Sequence, residues 1–102
     1  MPDWEWEYRG AVFVCDKGKR ETNQRKHGID LCETSEVFFD PYSFSYFDQG
    51  HSMEEDRYCQ TGMTTDGRLL KVVYTVRGAA VRIISARKAN KSEAKRYEQI
   101  YQ

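Results

Sequence analysis

Arg25-Lys26-His27 is the first run in this chain whose residue types and spacing point to chemistry. An imidazole titrates near neutral pH, and beside fixed cations it meets the needs of phosphodiester cleavage through a ribose 2′-hydroxyl. His27 can remove the proton, while Lys26 and Arg25 hold the charge that builds on the phosphorane. The same side chains also complement the negative end of a helix dipole, so a structural role fits equally well. A second candidate is Val81-Arg82-Ile83-Ile84-Ser85-Ala86-Arg87-Lys88, where charges interrupt a strand-core sequence. An unpaired buried guanidinium is costly. Arg82 and Arg87 must therefore meet a carboxylate, a carbonyl or a phosphate, and the bidentate arginine fork suits phosphate. Pairing with Glu93 or Glu98 is the competing explanation. Tyr74, Thr75 and Arg77 end the preceding apolar run and are placed to lie beside this site, with Tyr74 able to stack on a base, donate its hydroxyl or fill the core. No carboxylate pair, glycine-rich phosphate loop, HExxH or Cys/His cluster occurs, so no metal or cofactor is expected.

Charge is segregated although the formal total is zero. Between Ile29 and Asp56 stand eight acids and no lysine or arginine; from Arg57 onward ten bases face only Asp66, Glu93 and Glu98. Five further bases fall within Lys17–Lys26 against Glu21. A basic face of this density favours a polyanion through counterion release, and the acidic middle would repel it or recruit a basic partner. Arg25, Arg68, Lys71, Lys88 and Lys91 are the expected contacts to an RNA backbone. The cysteines Cys15, Cys32 and Cys59 are odd in number and lack CxxC spacing, which disfavours disulfides and zinc and suits a reducing cytoplasm. No apolar run is long enough to span a bilayer and no leader pattern opens the chain, so no membrane association is expected.

These side chains need elements to position them, and 102 residues suffice for one domain. Trp4, Trp6 and Tyr8 alternate with Glu5 and Glu7 as in a strand, and Arg9-Gly10 turns into a second run, Ala11 to Cys15. Asp16 caps a polar helix over Lys17 to His27 that Gly28 closes. With almost no apolar stripe, its side chains are expected to meet solvent, ligand or partner. Asp30 and Glu33 resemble a capping box opening an amphipathic helix that stops at Asp40-Pro41. Strands are expected over Tyr42–Phe47, Arg57–Met63, Arg68–Val76 and Val81–Lys88, with a polar loop over Asp48–Asp56 and a last helix after Asn90. Leu69-Leu70, Val72-Val73 and Ile83-Ile84 suggest central strands buried on both faces. The expected class is α+β, in the order βααββββα, with a mainly antiparallel sheet flanked by helices.

Taken together, Asp16 and Asn23 with Arg25-Lys26-His27-Gly28-Ile29, Val37-Phe38-Phe39-Asp40-Pro41, Gly67 to Thr75, and Arg82 to Ala89 with Glu93 and Tyr97 resemble the BrnT-type toxins of bacterial toxin-antitoxin systems. The resemblance runs from about Phe13 to Glu98, and the KHG and RIISAR segments carry most of its specificity. It implies a RelE-like ribonuclease fold that cuts RNA without a metal and halts growth by blocking translation. It also implies a BrnA-type ribbon-helix-helix antitoxin, with operator DNA reached only through the toxin-antitoxin complex. Matched by position, Lys26, His27, Arg82, Ser85 and Arg87 become candidates for catalysis, alongside Tyr74 and Arg77. The strand that commonly reads HT in the family reads Tyr74-Thr75 here, so Tyr74 either substitutes for that histidine or leaves the activity weaker. Residues 1–10 extend beyond the family start, as an added edge strand, a disordered lead or a partner contact. A protein of the same fold without catalysis, binding antitoxin or nucleic acid through its basic face, is the alternative.

Overall fold

The computed structural model describes residues 2–51 and 55–102. Strands β1 (Asp3–Tyr8) and β2 (Ala11–Asp16) form a hairpin, with Tyr8 opposite Ala11. Its two-residue turn needs positive φ at both positions, met by Arg9 (φ 52) and Gly10 (φ 85). Residues 3–8 are thus an added edge strand, one of the three readings open from sequence. Helix α1 (Lys17–His27) follows directly, then a 3₁₀ helix (Leu31–Phe39) and strands β3 (Phe44–Phe47), β4 (Tyr58–Met63), β5 (Leu69–Arg77) and β6 (Ala80–Lys88), and finally helix α2 (Lys91–Tyr101). The six strands form one sheet in the order β1-β2-β6-β5-β4-β3. Among the described residues only the β2–β6 pairing is parallel. The polar loop expected over Asp48–Asp56 falls partly on residues 52–54, outside the described residues. No helix among the described residues is long and apolar enough to cross a membrane.

The segment expected to be an amphipathic α-helix is 3₁₀ over Leu31–Phe39. Its hydroxyls compete for backbone acceptors: Thr34 Oγ1 donates to the Leu31 carbonyl at 2.6 Å and Ser35 Oγ to that of Cys32 at 3.1 Å. A three-residue repeat lines up positions i and i+3, and Leu31, Thr34 and Val37 are all fully buried. This segment covers one sheet face, where Phe13 and Cys15 of β2, Leu70 and Val72 of β5, and Ile83 and Ala86 of β6 make the core with Ile29, Leu31 and Val37. Burial in β5 alternates over Leu69–Val73, with Leu70 and Val72 on the core face. The core face is closed, whereas the other face, expected to be buried as well, is closed only in part: Thr75, and Cys59 and Thr61 opposite Val73 and Lys71, are buried there, while Lys71 and Val73 themselves are half-buried. Burial pushes the Cys15 thiol up to about 11, an inert core position.

Strand β2 pairs with β6 only over Val12–Val14, opposite Ala80–Arg82. Beyond that, α1 lies beside β6, capped by Asp16, whose carboxylate accepts from Lys19 N at 2.9 Å. The polar helix is held by one buried amide. Asn23 Oδ1 accepts the Ala86 N–H, which β2 does not reach, and Asn23 Nδ2 donates to the Ile29 carbonyl, both at 3.0 Å. Asn23→Ala orphans a buried backbone donor, which costs about 1–3 kcal/mol. Urea unfolding is expected to show that loss at unchanged m-value; a midpoint equal to wild type would contradict it.

The acidic middle of the sequence is not a free acidic face. Asp30 accepts from Arg20 at 2.8 and 2.9 Å, Glu33 pairs with Arg68, and Glu55 with Arg77. Asp40 Oδ2 takes the Tyr97 hydroxyl at 2.6 Å and the Met63 N–H at 2.8 Å, tying α2 to the end of the sheet. Carboxylates and guanidiniums distant in sequence neutralise one another in space.

Candidate active site

The face not covered by the 3₁₀ helix carries most of the charged strand residues, and a bulge decides which. Arg82 and Arg87 are five apart, so regular alternation would send them to opposite faces. The register shifts at Val73/Tyr74: Tyr74 faces Ile83 but Val73 faces Ser85, leaving Ile84 as the extra residue. Arg82, Ser85 and Arg87 thus stand opposite Thr75, Val73 and Lys71, three residues of one parity on β5. They share the second face with Lys71. Tyr74 has the other parity and points into the core, its ring 4.9 Å from that of Phe38. Burial raises its hydroxyl pKa. The structure therefore does not bring Tyr74 to the Arg82–Arg87 face.

Both central arginines hold carboxylates. Arg87 donates to the two oxygens of Glu93 at 2.9 Å each, and Glu93 also accepts the Asn90 N–H at 2.9 Å in the capping box of α2. Burial acts to raise the Glu93 carboxyl, but the Arg87 and Asn90 hydrogen bonds and nearby Lys71 outweigh it and leave the group below its ordinary value. Arg87 is raised in turn, chiefly by Glu93. Tyr46 lies close by, pushed up to about 12 mainly by burial. A carboxyl depressed by folding stabilises the protein above its unfolded pKa, near 4.3 for glutamate, and that contribution disappears as pH falls through the folded value. Glu93→Gln is therefore expected to flatten the loss of stability below about pH 4.3, read by urea midpoints across pH; an unchanged acid limb would contradict the pairing.

Arg82 donates to Asp3 at 2.9 and 3.2 Å, so the first strand reaches across β2 to engage it. The Arg82 hydrogen bond holds the Asp3 carboxyl below the usual range. Asp3→Ala removes a competitor for this guanidinium, and RNA affinity at low salt is expected to rise severalfold. An affinity that falls would contradict competition.

Lys26 and His27 stand at the other side of Ser85. They line a cleft of about 270 Å³ with Lys19, Thr22, Asn23, Ile84 and Ser85. Of the sequence candidates, Lys26, His27 and Ser85 thus meet in one cleft, and Ser85 shares its sheet face with Arg82, Arg87 and Lys71. Arg77 is engaged by Glu55 at 2.9 Å at the end of β5. Arg68 is held by Glu33 and Asp66 at the far turn, and Arg25 lines a separate cleft against Trp4. Lys88 and Lys91 follow Arg87 at the β6–α2 junction. Sequence reasoning offered Glu93 as a partner for the strand arginines and the core as a place for Tyr74, and the structure shows both; it missed Asp3 as the partner of Arg82. The signal for Glu93 was the capping box itself, which fixes where its carboxylate must be. No cluster of three or more metal-binding side chains occurs among the described residues.

Residues 15–93 match the family model described as the ribonuclease toxin, BrnT, of type II toxin-antitoxin systems. The structure is similar to the 1.1 Å crystal structure of the Brucella abortus ribonuclease toxin, BrnT, at 26% identity and a TM-score of 0.58. The match covers 76% of this chain and 94% of that one. No curated protein matches the sequence.

Proposed function

The chain belongs to the BrnT family of ribonuclease toxins of type II toxin-antitoxin systems, and from that premise we propose that it is a metal-independent endoribonuclease acting on the second sheet face. The observation that carries the reading is the Ile84 bulge, which aligns Arg82, Ser85 and Arg87 with Lys71 beside the Lys26–His27 cleft. His27 accepts the proton of a ribose 2′-hydroxyl, and the 2′-oxygen attacks the adjacent phosphorus. Arg87 and Arg82 hold the nonbridging oxygens as charge develops, and Ser85 donates a hydrogen bond between them. The 5′-oxygen leaves with a proton from Lys26, giving a 2′,3′-cyclic phosphate and a 5′-hydroxyl. Lys71 and Lys91 neutralise flanking phosphates, with Arg25, Arg68 and Lys88, the last of core-face parity at the strand end, as outer contacts. Tyr74 and Arg77 support the site from the core and from the end of β5 rather than touching the reacting phosphate.

The protein acts in the cytoplasm, where cut transcripts stop translation. Its partner is a BrnA-type ribbon-helix-helix antitoxin that covers the basic face, and operator DNA is met only through that complex. Induced expression is expected to arrest bacterial growth, and Lys26→Ala/His27→Ala to relieve the arrest at equal protein level. A second reading, a silent module that only binds antitoxin or nucleic acid, is favoured by the carboxylates already holding Arg82 and Arg87. It predicts no arrest from the wild-type chain.

A further inference from the structure

Trp4 shares its strand parity with Trp6 and Tyr8, which pack on the core, yet it remains 40% exposed. Its ring is faced by the Arg20 guanidinium at 4.8 Å, with Lys17 Nζ at 6.0 Å. Arg20 is fixed in that position by its two hydrogen bonds to Asp30. Together they border the cleft of about 510 Å³ that Glu21, Gln24 and Arg25 complete, a size within the range of ligand sites. Its parts are an exposed indole faced by a fixed guanidinium, amide and carboxylate groups that match base edges, and the exposed cations Lys17 and Arg25. Unpaired bases are held by that combination of aromatic or guanidinium stacking, edge hydrogen bonds and cations.

Position links this cleft to the candidate active site. Lys17, Glu21, Gln24 and Arg25 follow at one-flank helical spacing on α1, while Lys19, Thr22 and Lys26 make the other flank, which lines the His27–Ser85 cleft. The two clefts are separated by one helix, about 10–12 Å across. We infer that the Trp4 cleft is a second nucleotide subsite, which stacks an unpaired base of the RNA strand leaving the active site across α1. The inference rests on the ribonuclease reading. Trp4 lies outside the residues matched by the family model.

The test uses a 12-nucleotide 2′-O-methyl oligoadenylate, which has no 2′-hydroxyl to attack, with binding read by fluorescence anisotropy. Trp4→Ala is expected to weaken binding about tenfold, the effect of losing one base–aromatic stack, and Trp4→Phe to retain most of the affinity. Lys17→Ala/Arg25→Ala, changed only at exposed positions, is expected to weaken it severalfold with an unchanged melting temperature. In the Trp6→Phe protein Trp4 is the sole indole, and the oligonucleotide is expected to quench it. Equal affinity of wild type and Trp4→Ala overturns the subsite while leaving the ribonuclease reading intact, and loss of antitoxin binding alone in Trp4→Ala would give the surface to a protein partner instead. Adenosine monophosphate binding as tightly as the oligonucleotide overturns the strand assignment in favour of a free nucleotide. No binding of the oligonucleotide by wild type overturns both readings.

Discussion

Arg87→Ala is expected to lower the rate of RNA cleavage by about 10²- to 10³-fold, the usual cost of losing one preorganised donor to a developing oxyanion. The guanidinium is rigid because it sits on a central strand and is gripped on both fork nitrogens by Glu93. Rigidity favours the phosphorane over the ground-state phosphate, so kcat should fall more than KM rises. The pair also predicts a second effect. Alanine leaves Glu93 half-buried with the Asn90 N–H as its remaining hydrogen-bond donor, so the melting temperature should drop as well. Arg87→Ala/Glu93→Gln removes the stranded charge and should regain stability without regaining cleavage. Recovery of cleavage in that double variant, or full activity in Arg87→Ala, would show that Arg87 serves structure alone.

The second large effect is that of salt on RNA affinity. With four phosphates neutralised, the log-log slope for a single strand is about −2.8, from about −0.7 per contact, and affinity should fall roughly 50-fold between 50 and 200 mM salt. The arginines already paired to carboxylates make four a fair count, since Asp3 and Glu93 already neutralise Arg82 and Arg87 and no counterion is bound there to be released. Lys71, Lys91, Lys26 and Lys19 are the side chains whose removal should each reduce the slope by about 0.7. A flat response would remove the basic face from consideration as the RNA site.

Much of the fold was legible because local signals coincided with tertiary demand. Asp16 and Gly28 bracket α1 as their types require, with Gly28 in the left-handed region (φ 67). Asn90 and Glu93 form the capping box that starts α2. Three features were not legible, each for a physical reason. The 3₁₀ path of Leu31–Phe39 depends on Thr34 and Ser35 hydroxyls competing for the backbone, and Leu31, Thr34 and Val37 satisfy a period of three as well as one of 3.6. The parity of the RIISAR strand depends on a bulge, and one inserted residue reverses every later side chain. The charge segregation was real along the chain but not in space, because Arg20–Asp30, Arg68–Glu33, Arg77–Glu55 and Arg82–Asp3 close across elements. For the candidate site, Lys26, His27 and Ser85, named from the sequence as site candidates, line one cleft in the structure.

Incubating the purified chain with total bacterial RNA in excess EDTA tests the central claim most directly. The account predicts discrete fragments ending in 2′,3′-cyclic phosphates, accumulating without any divalent ion and absent with Lys26→Ala/His27→Ala. RNA left intact by the wild-type chain, or cleavage that appears only when a divalent ion is restored, would contradict it.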